Sequence, residues 1–180
     1  TQNHKFKLTL IGLVMQGMGL MAHAACGTQA TTDYTFSANV TGISCQPPAT
    51  VNSITVSSGT TLTGNGSLAV FDLETNLYSL TSISNSGIIN GLGTYAFYLS
   101  GAAVPSDLRI ALLTNSATGQ IRGDVGVDIY AEITKIENRG IISVTSQAFA
   151  NWAGVIGEMH NYKTIESQTS NAIQNLGNID

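Results

Sequence analysis

The chain has 180 residues, 43% of them apolar, which suffices for one domain with a core if those residues are patterned to face one side. Charged residues make up only 10%, against roughly 25% in typical soluble domains, and Gly, Ser, Thr and Asn take their place. The formal net charge is −4, and no basic run or aromatic–basic patch is present, which speaks against nucleic acid and anionic lipid as partners.

Residues 1–24 read as a secretory signal peptide. Lys5 and Lys7 form its basic end, Leu8 to Met21 is a 14-residue apolar run, and Ala22, His23 and Ala24 supply small residues at −3 and −1 of a cleavage site before Ala25. The run contains Gln16 and three glycines and is shorter than the ~20 residues a bilayer span requires. A second reading makes Cys26 the acylated N-terminus of a lipoprotein, although His23 stands where an aliphatic residue is expected. Cleavage removes Lys5 and Lys7, leaving five basic against eleven acidic residues, a net charge of −6.

Cys26 and Cys45 are the only two cysteines, and both follow the cleavage site closely. In an oxidising compartment such a pair is read as a disulfide, and closing a loop of this size stabilises the fold by ~3 kcal/mol in the chain-entropy picture. A redox or metal pair would call for CxxC spacing or a neighbouring His. Residues 25–53 form a polar lead-in that carries this pair, alternates weakly at Tyr34, Phe36, Val40 and Ile43, and closes with Pro47 and Pro48.

From residue 54 to 180 short apolar runs alternate with Gly, Asn and Ser, and no apolar stripe of helical period persists beyond two turns. The stretch AFANWAGVIGEM is the best helix candidate, but Gly154 and Gly157 lie inside it and strands are the better reading. A motif of the form apolar-x-Asn-x-Gly-x-apolar recurs. It is complete at Ile83/Asn85/Gly87/Ile89, Ile136/Asn138/Gly140/Ile142 and Ile173/Asn175/Gly177/Ile179. Degenerate copies are Leu113/Asn115/Gly119/Ile121 and Met159/Asn161/Ile165, the latter with Lys163 in place of Gly. The Asn positions are 30, 23, 23 and 14 residues apart.

A repeat near 23 residues marks a solenoid. The expected fold is therefore all-β, a right-handed parallel β-helix whose coils stack strand over strand at ~4.8 Å. The apolar positions point inward as columns. Asn is expected to tolerate a left-handed corner and to ladder with its equivalents, and Gly to supply the positive φ of the corner. On this reading the repeat encodes a stack of coils and no active site.

The signal followed by ISNSGIING, IENRGIIS and IQNLGNID, with few charges and cysteines, resembles the passenger region of bacterial autotransporters. The resemblance covers residues 54–180 and the signal. It implies export through the inner membrane to the periplasm, then transfer to the cell surface or outer membrane, or secretion, by a C-terminal translocator barrel. No alternating ten-residue membrane strands follow the repeats, and the chain runs from Thr1 to Asp180 within a motif copy, so a fragment of a longer protein is expected, with that barrel as its missing partner. The implied role is structural display or adhesion to a host surface or neighbouring bacterial cells, without catalysis, cofactor or metal.

Chemistry-bearing residues are sparse. Serine-protease passengers resemble one another in a GDSG-type motif, and the nearest string here, Gly123 to Gly126, has Val125 in place of the nucleophile. His160 is read as an outward, solvated side chain with no acid–base partner. The pairs Asp72/Glu74 and Asp124/Asp128 have no repeated partner to complete a calcium cage and are read as surface carboxylates. Arg122, Gly123 and Asp124 spell the tripeptide that integrins bind, following the inward Ile121 at an expected turn, and form the one candidate binding motif. A carbohydrate-active enzyme on the same fold and a pilus or immunoglobulin-like subunit are the alternatives. The first needs an acid–base cluster on one face, the second antiparallel pairing.

Overall fold

Alternation of buried and half-buried positions runs through the strands Ser53–Val56, Thr61–Gly64, Ser82–Asn85 and Ile141–Val144, each with two positions towards the core and two towards solvent. The computed structural model describes residues 26, 32–48, 50–74, 79–100 and 107–179, so the signal at 1–24 lies outside the described residues. Among these residues there is no helix, and every strand pairing is parallel. The fold is a parallel β-helix of about six turns, as the repeat implies. The antiparallel sandwich of an immunoglobulin-like subunit is excluded.

Each turn visits three sheets. The first holds Asp33–Phe36, Ser53–Val56, Ser79–Leu80, Ser82–Asn85, Arg109–Asn115, Glu132–Asn138, Val155–Asn161 and Asn178–Ile179. The second holds Val40–Ile43, Thr61–Gly64, Ile88–Asn90, Gln120–Gly123, Ile141–Val144 and Thr164–Ser167. The third holds Phe71–Asp72, Tyr95–Leu99, Val125–Ile129, Phe149–Asn151 and Ile173–Asn175. The stack thus begins inside the lead-in, whose Asp33–Phe36 already pairs with Ser53–Val56.

Register turns the repeat into columns. Tyr34, Ile54, Ile83, Leu113, Ile136 and Met159 stand over one another in the first sheet. Leu62, Ile89, Ile121, Ile142 and Ile165 do so in the second, and Phe71, Phe97, Val127, Phe149 and Ile173 in the third. Each fully buried member contributes ~1.5–3 kcal/mol relative to exposure. Phe71 and Phe97 stack with centroids 5.2 Å apart and planes 14° from parallel, while Phe36 meets Phe71 edge-on at 5.5 Å.

The disulfide forms as expected. Cys26 and Cys45 are bridged with Cα atoms 4.9 Å apart, and Cys45 sits in a parallel bridge with Phe71 at the start of the third sheet. Both cysteines are buried, so the bridge closes the N-terminal end of the core. It engages the sulfur that a lipoprotein anchor would acylate, so the bridge and that anchor are mutually exclusive.

The corner between the first and second sheets has the expected Asn ladder but not the expected left-handed backbone. Its Asn residues form a ladder, buried as far as Asn138 and exposed at Asn161: Asn85 Nδ2 donates to Asn115 Oδ1 at 2.9 Å, Asn115 to Asn138 at 2.8 Å, and Asn138 to Asn161 at 2.8 Å. None of these Asn residues has a positive φ, and neither have Gly87, Gly119 and Gly140. Instead, Asn85 Oδ1 accepts the Gly87 N–H at 3.1 Å and Asn138 Oδ1 the Gly140 N–H at 3.2 Å, so each amide closes its own turn and the next rung together. Glycine is required by crowding: a methyl at Gly140 would fall on the carbonyl oxygens of Gly119 and Ser116.

Asn175 does not belong to this ladder. It pairs with Asn151 in the third sheet, while Ile173 stands over Phe149 and Ile179 over Ile156. The 14-residue step from Asn161 is therefore a move around one coil, and the partner copy is Phe149/Asn151/Gly154/Ile156. The longer step of 30 is taken up between Leu99 and Arg109, in a connection that includes residues 101–106 outside the described set.

Candidate functional site

Outward positions of the third sheet collect the chemistry. Asp72, Tyr98, Asp128, Ala150 and Gln174 form one row, each in register with the next and interleaved with the inward phenylalanines. Asp72 and Asp128, expected as solvated carboxylates, are 8% and 3% exposed. The covering groups are aromatic. Tyr95 and Tyr98 have ring centroids 5.5 Å apart at 53°, and Tyr98 and Tyr130 lie 6.1 Å apart edge to face.

Asp128 is the most perturbed acid of this face. Burial pushes its carboxyl up from 3.8 to about 6, while a hydrogen bond from the Trp152 side chain and one from the Ile129 backbone hold it down. Its Oδ1 has no hydrogen-bond partner. Burial first, and then the Asp128 charge, raise the phenol pKa values of Tyr95 and Tyr130; Tyr98 is raised by burial, with Glu74 and Asp128 adding to the rise and a hydrogen bond to Ser100 opposing it. The three phenols therefore stay protonated at neutral pH and offer neutral ring faces.

Beside this row lies a cleft of about 250 Å³, bounded by Ser67 to Ala69, Asp72, Glu74, Tyr95 and Tyr98. Its loop wall is built locally: Asn65 Oδ1 accepts the backbone N–H groups of Ser67 and Leu68, each at 2.9 Å. The Thr94 hydroxyl lies 2.9 Å from Leu68 O and 2.7 Å from Gly91 O, tying that loop to the next coil. Val70 N–H donates to Tyr95 O at 3.1 Å and Leu73 N–H to Tyr98 O at 2.9 Å, which sets the carboxylates beside the rings.

The tripeptide Arg122, Gly123 and Asp124 runs from the end of a second-sheet strand into the corner before the third sheet. Its backbone is held on both sides: Asp124 N–H donates to Thr94 O at 2.9 Å, and Gly123 O and Asp124 O accept from Thr145 and Ser146 at 3.0 and 2.8 Å. Arg122 is exposed and donates to Gln120 on its own strand. Val125, in the GDVG string, is buried.

His160 departs from the solvated, partnerless expectation. Its Nε2 lies 3.3 Å from Glu158 and its Nδ1 3.2 Å from the Tyr162 hydroxyl, because residues two apart share one strand face. The Arg139 guanidinium sits 4.5 Å over the Tyr162 ring. Among the described residues no group of three or more His, Cys, Asp or Glu could hold a metal ion.

The acid–aromatic face escaped the sequence reading because its members are scattered over four coils. The available signal was aromatics and acids at outward positions after each third-sheet core residue, in VFDLE, YAFYL and VGVDIY. No family model, curated protein or solved structure matches this chain.

Proposed function

We propose that the chain is an exported, non-catalytic surface scaffold of the autotransporter-passenger kind, a shaft that displays binding surfaces along its length towards a host surface or neighbouring cells. The observation that carries this reading is the uniform interior: aliphatic columns and an Asn ladder run from coil to coil, and the chemistry lies on the outer faces. The signal-like residues 1–24 and the Cys26–Cys45 bridge support export into an oxidising compartment. Made in a Gram-negative host from its own N-terminus, the chain is expected in the periplasm, beginning at Ala25 and with Cys26 and Cys45 oxidised. Fused to a translocator barrel, it is expected to become accessible to added protease. A cytoplasmic, unprocessed and reduced product would overturn the proposal.

A second reading, a carbohydrate-active enzyme, draws on the cleft that holds Asp72 and Glu74 beside two tyrosines. Its test is incubation with plant and host polysaccharides. Release of reducing ends or unsaturated products, lost in Glu74→Gln, would favour it over the scaffold.

A further inference from the structure

The described basic residues are confined to two of the three sheets of this solenoid and their shared corner, where acids such as Glu132 and Glu137 pair with them. Among the described residues the five basic side chains, Arg109, Arg122, Lys135, Arg139 and Lys163, all lie on the first two sheets or the corner between them. The third-sheet face, among the described residues, has Asp72, Glu74 and Asp128 and no basic residue. Asp128 adds a buried carboxylate with an unpartnered Oδ1, whose field reaches Tyr95, Tyr98 and Tyr130. Such a face, acidic and without a basic side chain among the described residues, repels anions and attracts cations.

A cation satisfies both chemistries at once. Aromatic rings present a negative π face, and carboxylates complete the attraction when water is partly excluded. Size narrows the class further. At about 250 Å³ the cleft falls just below the ~300–1,000 Å³ of sites that enclose whole drug-sized ligands. It suits one ammonium or guanidinium head.

We propose that the cleft lined by Asp72, Glu74, Tyr95 and Tyr98 is a binding site for an organic cation, either a guanidinium or a quaternary ammonium group. The rings supply contact and the two carboxylates supply charge. This proposal stands independently of whether the chain is exported, since it concerns the folded solenoid alone.

The test is a titration of the intact chain with N-acetyl-arginine amide and with choline, followed by NMR of the tyrosine rings. The neutral isostere 3,3-dimethylbutanol and a neutral oligosaccharide serve as controls. At least one cation is expected to bind saturably, with shifts centred on Tyr95 and Tyr98 and affinity falling as salt rises. Stronger binding of the arginine derivative identifies an amino-acid side chain as the source, and stronger binding of choline a quaternary amine. Glu74→Gln, at an exposed position that leaves the core untouched, is expected to weaken binding about tenfold, and Tyr98→Phe, which keeps the ring face, to preserve it. Equal binding of the neutral isostere, tighter binding of the oligosaccharide, absence of binding by both cations, or binding unchanged in Glu74→Gln would each overturn the proposal.

Discussion

Asn175 stands on Asn151, accepting a 2.7 Å hydrogen bond from its Nδ2, although its motif is written like those of the Asn85 ladder at another corner. The same Asn and Gly chemistry therefore closes two corners of the coil. A buried amide can close its own turn with Oδ1 and reach the next coil with Nδ2, and this works wherever parallel strands leave a corner in register.

The ladder predicts unequal costs for equal substitutions. Asn115→Ala would remove one of two hydrogen bonds at each buried neighbour, leaving Asn85 Nδ2 only Gln120 O and Asn138 Oδ1 only the Gly140 N–H, at a cost of ~1–3 kcal/mol in all. Asn161→Ala, at the exposed end of the ladder, is expected to cost under ~1 kcal/mol. Urea unfolding midpoints compare the two, and equal losses would mean that the ladder is not cooperative.

Gly140→Ala tests crowding against backbone freedom. The added methyl meets the carbonyl oxygens of Gly119 and Ser116, so the coils must separate locally, at an expected cost of ~1–3 kcal/mol or more. Gly93→Ala has open space around it but a φ of 83°, and is expected to lose only ~1 kcal/mol. If thermal denaturation finds Gly93→Ala the worse variant, the steric account of the Asn–Gly corner fails.

Removing the bridge by Cys45→Ser, or by reduction, is expected to cost ~3 kcal/mol. Coils contact only their neighbours, so the loss should be local. Amide exchange is the discriminating measurement: faster exchange is expected at Asp33–Ile43 and Ser53–Val56, with little change at Glu132–Val144. Uniform acceleration along the stack would show global cooperativity instead.

Asp128 predicts a pH dependence of definite sign. Its carboxyl is raised from 3.8 to about 6, so between those values the folded chain holds a proton that the unfolded chain has released. The contribution of this group is therefore fully present below about pH 4 and lost as pH rises through about 6, on the order of 3 kcal/mol in all. Asp128→Asn should remove that slope and raise stability at pH 7. Trp152, which donates to Asp128, supplies a fluorescence readout of the titration. A slope that survives the substitution would assign it to another group.

Much of the architecture was legible in the chain. The 23-residue steps and the paired apolar positions imply stacked coils, and Ile89, Ile121 and Ile142 do form one column. The corner glycines were legible as residues but not as reasons. Crowding by a neighbouring coil is a tertiary fact, whereas positive φ is the local property that a glycine suggests by default.

By itself the sequence determined the period, the inward alternation and the two cysteines near the first coil, because these depend on side-chain spacing along one strand and on covalent chemistry. Only the tertiary structure decided which corner each motif copy closes and that Asp72, Tyr98 and Asp128 share one outward row. Neighbours in such a row are a full coil apart in sequence. Their adjacency is set by register across parallel strands, and register sums the packing of every column in the stack.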